Sequence, residues 1–129
     1  MKKNLSLSSS FVLWAPPVVW AGAIFFLSSQ PVLPSLDLSY ADFFFKKSAH
    51  MTAYAGLYYL VRKAIWGSYP TLSKHDWRVW LLPLLICIIY AFTDEFHQSF
   101  TPNRTASLRD VGYDFLGMSF IFLRQYRFI

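Results

Sequence analysis

Apolar and polar positions in this chain alternate in long blocks, far longer than the period of a strand or of an amphipathic surface helix. Four apolar blocks stand out, at residues 11–27, 48–66, 77–93 and 108–123, with short polar stretches between them. A helix rises about 1.5 Å per residue, so a block of about 20 residues crosses the ~30 Å hydrocarbon core of a bilayer. The pattern predicts an all-α fold: one domain over residues 1–129, an integral membrane bundle of four transmembrane helices.

The first block follows a basic, Ser-rich head containing Lys2 and Lys3. Ala21-Gly22-Ala23 resembles a signal-peptidase site, but the apolar run continues through Ile24, Phe25, Phe26 and Leu27, which predicts a retained anchor, kinked at Pro16 and Pro17. Residues 28–45 are expected to form a loop, with Pro31, Pro34, Asp37 and Asp42, and residues 67–76 a second, with Gly67, Pro70 and Lys74. The fourth block carries Arg109, Asp110 and Asp114 in its first two turns. It spans only if Asp114 faces protein or water rather than lipid.

Composition strengthens the membrane reading. Hydrophobic residues make up 55%, aromatic residues 20% and charged residues only 15%, against about 25% charged in a soluble domain. The net charge of +5 comes from small Lys and Arg clusters between apolar blocks, which suits juxtamembrane anchoring and not nucleic acid. Lys2, Lys3, Arg62, Lys63, Lys74, Arg78, Arg124 and Arg127 belong to the head, second loop and tail; Lys46, Lys47, Arg104 and Arg109 belong to the other side. By the positive-inside rule both termini are cytoplasmic and residues 93–110 face outward. The lone Cys87 lies in an apolar block and carries no redox information.

Residues 93–110, TDEFHQSFTPNRTASLRD, are the densest polar stretch. Carboxylates at the end of a membrane helix are costly, and Asp94 and Glu95 lie at the end disfavoured by the helix dipole. A cationic partner is therefore expected for them, from Arg104, Arg109, Lys47 or His50. Asp94 and His97 are spaced i, i+3, as are Glu95 and Gln98, so the two pairs point to adjacent faces. Lys47, His50 and Tyr54 share one face at the outer end of the second helix, at the depth of the acids. Taken alone they read as a snorkelling lysine, a packing histidine and a belt tyrosine; convergence with the carboxylates favours a pocket. Pro102-Asn103-Arg104 reads as a turn presenting a guanidinium suited to phosphate or carboxylate. Asp110, Asp114 and Gly117 share a face of the fourth helix, where Gly117 would let another helix approach.

Asp94, Glu95, His97, His50 and Asp110 offer metal-ligating atoms, but there is no HExxH, no cysteine pair and no spacing that fixes a geometry, so no metal is assigned. Ser99 and Ser107 lack a GxSxG context. The sequence specifies no cofactor and no oligomeric state.

At FFLSSQP, KSAHMTAY, DEFHQSFTPNR and SLRDVGYDFLG the chain resembles the VanZ-like family of small bacterial membrane proteins. The family pattern matches Lys47, His50, Tyr54, Asp94, Glu95, Gln98, Arg104, Asp110 and Gly117; Asp114 stands where the pattern often has Asn. The family takes its name from a protein associated with teicoplanin resistance, so the resemblance implies cell-envelope work in the bacterial cytoplasmic membrane. Two function classes stay open. One is a binding protein whose pocket, lined by Lys47, His50, Tyr54, Asp94, Glu95, Gln98, Arg104, Asp110 and Asp114, takes a membrane lipid or lipid-linked envelope precursor. The other is a membrane enzyme acting on a lipid ester or phosphate, with Asp94 or Glu95 as base, His50 or His97 as acid and Arg104 as clamp. A transporter is less favoured, because the polar residues gather at one end and not at mid-membrane.

Overall fold

The computed structural model describes residues 7–31 and 39–128. Lys2 and Lys3 of the basic head, and Pro34 and Asp37 of the first loop, lie outside them. Among the described residues there are four helices and no strand: α1 (Leu7–Ser28), α2 (Ser39–Ser68), α3 (Trp77–Gln98) and α4 (Leu108–Gln125). α1 is a single helical element through Pro16 and Pro17.

Two helix limits differ from the sequence expectation. α2 begins at Ser39, so residues 39–45 are helix and not loop. Asp42 sits in the first turn, favoured by the dipole, and pairs with Lys46 one turn on at 2.7 Å. Phe43 meets the Tyr113 ring of α4 edge-on at 6.4 Å, so this turn has a packing surface of its own. α3 continues past Thr93 to Gln98, because its polar last turn finds partners on α1 and on the α3–α4 loop. The expected turn at residues 102–104 is present, with Asn103 in the left-handed region at φ 62°, a conformation asparagine tolerates better than most residues. Ser107 caps α4 by accepting from Arg109 N at 3.2 Å.

α2 is the central helix and touches the other three. Cross-contacts give the directions. Trp14 bonds Ser68 at 3.1 Å and Trp20 bonds the Ala53 carbonyl at 2.8 Å, so α1 and α2 are antiparallel. Lys47 meets Asp110 and Arg62 lies beside Tyr126, so α2 and α4 run parallel. Their spacing depends on Gly117: a Cβ there would fall 2.1 Å from the Met51 carbonyl oxygen. Backbone meets backbone at this crossing, as the sequence reading of Gly117 expects. The core is built from Tyr54, Leu57, Tyr58 and Val61 of α2 with Cys87 and Ala91 of α3 and Val111 and Met118 of α4.

By length and composition α1 and α3 are apolar enough to cross a membrane. α1 presents Phe11, Val12, Val18, Val19, Phe26 and Leu27 outward. α2 and α4 fall short of that measure because each carries several charged residues. Much of that charge faces the partner helix.

Candidate functional site

Four helix ends deliver polar side chains to one place: the C-termini of α1 and α3, the early turns of α2 and the N-terminus of α4. The residues at the centre are buried. Asp94 is 4% exposed, Glu95 5% and Asp114 1%.

Asp94 is the hub. Its Oδ2 accepts from Ser28 Oγ at 2.8 Å, from Gln98 Nε2 at 3.2 Å and from the Tyr54 hydroxyl at 3.3 Å. Gln98 also donates to Ser28 Oγ at 3.1 Å, and its Oε1 accepts from Arg104 Nη2 at 3.0 Å. α1, α2, α3 and the α3–α4 loop are thus tied through one carboxylate and one amide. Glu95 Oε2 accepts from the Ser107 backbone N–H at 2.7 Å, anchoring the start of α4 to the end of α3.

The α2–α4 face contributes two parallel side-chain pairs, Lys47 with Asp110 and His50 with Asp114. Lys47 binds Asp110, and the Lys47 ammonium lies 5.5 Å from the Tyr113 ring centroid. One turn deeper, His50 Nδ1 lies 3.1 Å from Asp114 Oδ1. Asp114, the departure from the family pattern, therefore has a specific partner and faces protein, as its helix requires.

A cavity of about 560 Å³ opens beside this network. Lys47, His50, Tyr54, Asp94, Gln98, Arg104 and Asp110 line it, as does Lys46. Ile24, Leu27, Phe45 and Ala49 supply an apolar wall to the same space. Glu95 and Asp114 are not on the cavity wall; they are buried next to His50, and one ligating atom from each of His50, Glu95 and Asp114 lies within 4.8 Å of the others. These three residues are the candidate metal-holding set among the described residues. Asp94, His97 and Asp110, which the sequence groups with them, are not part of it.

The structure changes three details of the predicted site. His97 does not join it: its ring lies tilted against Phe25 with centroids 4.5 Å apart, and it does not line the cavity. Asp94 pairs with Gln98, one full turn on, and not with His97, because α1 packs against the His97 side of α3 and brings Ser28 to the other two. None of the four expected cations neutralises Asp94 or Glu95: Lys47 goes to Asp110, His50 to Asp114, Arg104 to Gln98, and Arg109 is exposed. Two participants escape sequence reasoning. Ser28 lies in the FFLSSQP motif, at the C-terminal end of α1 beside the acids of α3, which is the signal that would have found it. The Ser107 amide acts through its backbone, which no residue type announces.

The VanZ/LLP1 family profile matches residues 11–126. The chain belongs to the VanZ/LLP1 family. Comparison with curated proteins and with solved structures gives no match. The matched span takes in α1 from Phe11 onward, all of α2, α3 and α4, and every residue of the polar network from Ser28 to Asp114.

Proposed function

We propose that this VanZ/LLP1 protein is a four-span protein of the bacterial cytoplasmic membrane, with both termini cytoplasmic, whose outward cavity binds the phosphate-bearing headgroup of a lipid or lipid-linked envelope precursor. The observation that carries the reading is the cavity itself, which joins an apolar wall of Ile24, Leu27 and Phe45 to a polar end of Lys46, Lys47 and Arg104. A chain and a headgroup need that combination in one space. Arg104 pairs with no carboxylate among the described residues, so its guanidinium fork is available to an anion. Four spans are supported by the way α2 and α4 set Lys47 against Asp110 and His50 against Asp114, which lowers the cost of carrying these charges into the bilayer.

Lipid co-purification with native mass spectrometry tests this. Wild-type protein should retain a phosphate-bearing lipid and Arg104→Gln should lose it by tenfold or more; equal retention would sink the reading. Cysteine accessibility at Ser99 and Ser73 in a Cys87→Ser background tests the orientation. A link to glycopeptide resistance follows if the bound lipid is a wall precursor, and deletion that leaves teicoplanin sensitivity unchanged removes it.

One observation favours a second reading, a membrane enzyme on the same lipid. His50 stands on the cavity wall with a buried carboxylate on its Nδ1, an arrangement that orients an imidazole for acid-base work. Its carboxylate partner is Asp114, where the sequence pointed to Asp94 or Glu95. His50→Asn should then abolish turnover of an envelope lipid while lipid retention persists. Wild-type protein that turns over no such lipid leaves the binding reading alone.

A further inference from the structure

Four carboxylates, Asp94, Glu95, Asp110 and Asp114, are buried at one end of this bundle. Asp110 has Lys47 and Asp114 has His50; Asp94 and Glu95 form no ion pair among the described residues. Asp94 is compensated on one oxygen by three neutral donors. Glu95 has a single backbone N–H on one oxygen, and its other oxygen is buried without any partner. An ionised carboxylate kept 95% out of water in that condition is disfavoured unless it takes up a proton or positive charge reaches it.

The direction from which charge would reach it is defined. His50, Glu95 and Asp114 converge from three different helices, α2, α3 and α4, with one ligating atom each inside 4.8 Å. Tetrahedral zinc with ligands at about 2.0–2.2 Å sets ligand atoms about 3.3–3.6 Å apart. The His50 Nδ1 to Asp114 Oδ1 separation is 3.1 Å, so that edge is already near coordination length. We infer that His50, Glu95 and Asp114 hold one divalent transition-metal cation, of the zinc or manganese class.

One imidazole nitrogen and two carboxylate oxygens suit these ions better than calcium, which takes oxygen donors alone, or copper(I), which takes thiolates. On binding, His50 takes the neutral tautomer with its proton on Nε2 and gives the Nδ1 lone pair to the metal, an imidazolium releasing its extra proton to solvent, and Asp114 exchanges a hydrogen bond for a metal bond. Three protein ligands leave at least one coordination position open. The inference does not rest on the lipid reading, since metal is measured with no ligand added.

The test uses the full chain in detergent micelles, stripped with a chelator and re-equilibrated with Zn²⁺ or Mn²⁺ before gel filtration. Elemental analysis should find about one metal per chain. Glu95→Gln and Asp114→Asn should each bind at least tenfold more weakly, while His75→Ala and His97→Ala keep wild-type content. Should the first two variants fail to fold, electron spin-echo spectra of the Mn²⁺-loaded wild type decide, through a ¹⁴N coupling from one histidine that His75→Ala and His97→Ala leave in place. Stripped and reloaded protein with no bound metal, full occupancy in folded Glu95→Gln, or Mn²⁺ without nitrogen coupling would each overturn the inference.

Discussion

The two ends of the α2–α4 contact are built from opposite materials. At the start of both helices lie Lys47, His50, Asp110 and Asp114, with Asp94 and Glu95 of α3 beside them. Fifteen residues along α2, about 22 Å away, Arg62 is buried between Trp66 and Tyr126, with its guanidinium carbon 5.4 and 5.5 Å from their ring centroids. The rings around Arg62 are tied to backbone: Trp66 Nε1 donates to the Leu72 carbonyl at 3.3 Å, and the Tyr126 hydroxyl donates to that of Lys74. The basic end offers aromatic faces and main-chain acceptors, and Arg62 Nε and Gln125 Oε1 are buried there without hydrogen-bond partners. The acidic end couples side chain to side chain across four helices, borders a cavity, and retains buried oxygens on Asp94 and Glu95 without partners. What sets the acidic end apart is that it gathers four buried carboxylates beside a cavity, which makes it the candidate site.

Mutations at each end should behave accordingly. The largest effect is expected from Gly117→Ala, which forces a methyl group into the Met51 carbonyl and pushes α2 from α4. A loss of about 3 kcal/mol, read by thermal unfolding in detergent, should come with loss of lipid retention; a variant as stable as wild type would mean that the helices are not held by this crossing. Next comes Arg62→Ala at the basic end. It removes two cation-π contacts and a packed aliphatic stem, costing about 1–2 kcal/mol, and should leave ligand retention untouched. Reduced retention in a still-folded Arg62 variant would erase the distinction between the ends. Ser28→Ala is the mildest: it strips one of three donors from Asp94 and one acceptor from Gln98, for about 1 kcal/mol and a measurable shift in lipid retention, checked by the same two assays.

How much of this was legible beforehand follows from what spacing encodes. Helical periodicity says which side chains share a face, so Lys47, His50 and Tyr54 could be grouped on α2 and Asp110, Asp114 and Gly117 on α4. The small residue at 117 announced a close crossing because only glycine lets main chains touch. Periodicity does not say which residue on one face meets which on another. Partner choice among Lys47, His50, Arg104 and the four acids therefore came only with the helix register, and the expected cation for Asp94 and Glu95 went elsewhere. α2 was read short because Asp42, Lys46 and Lys47 look like loop charges in a linear sequence; they are helical because they pair with one another and with α4. His97 looked equivalent to His50 by residue type, and only the position of Phe25 on α1 separates them.

The glycine crossing also bears on recognition. Because two main chains touch at Gly117 and Met51, the gap between the α2 and α4 side chains one turn away is set by atoms that have no rotamers to adjust. Whatever enters between His50 and Asp114 meets a fixed aperture and adds little ordering cost, the condition under which a small contact set gives tight, size-selective binding. Tolerance at this site is a property of the backbone, and a variant that loosens the crossing should trade affinity for breadth.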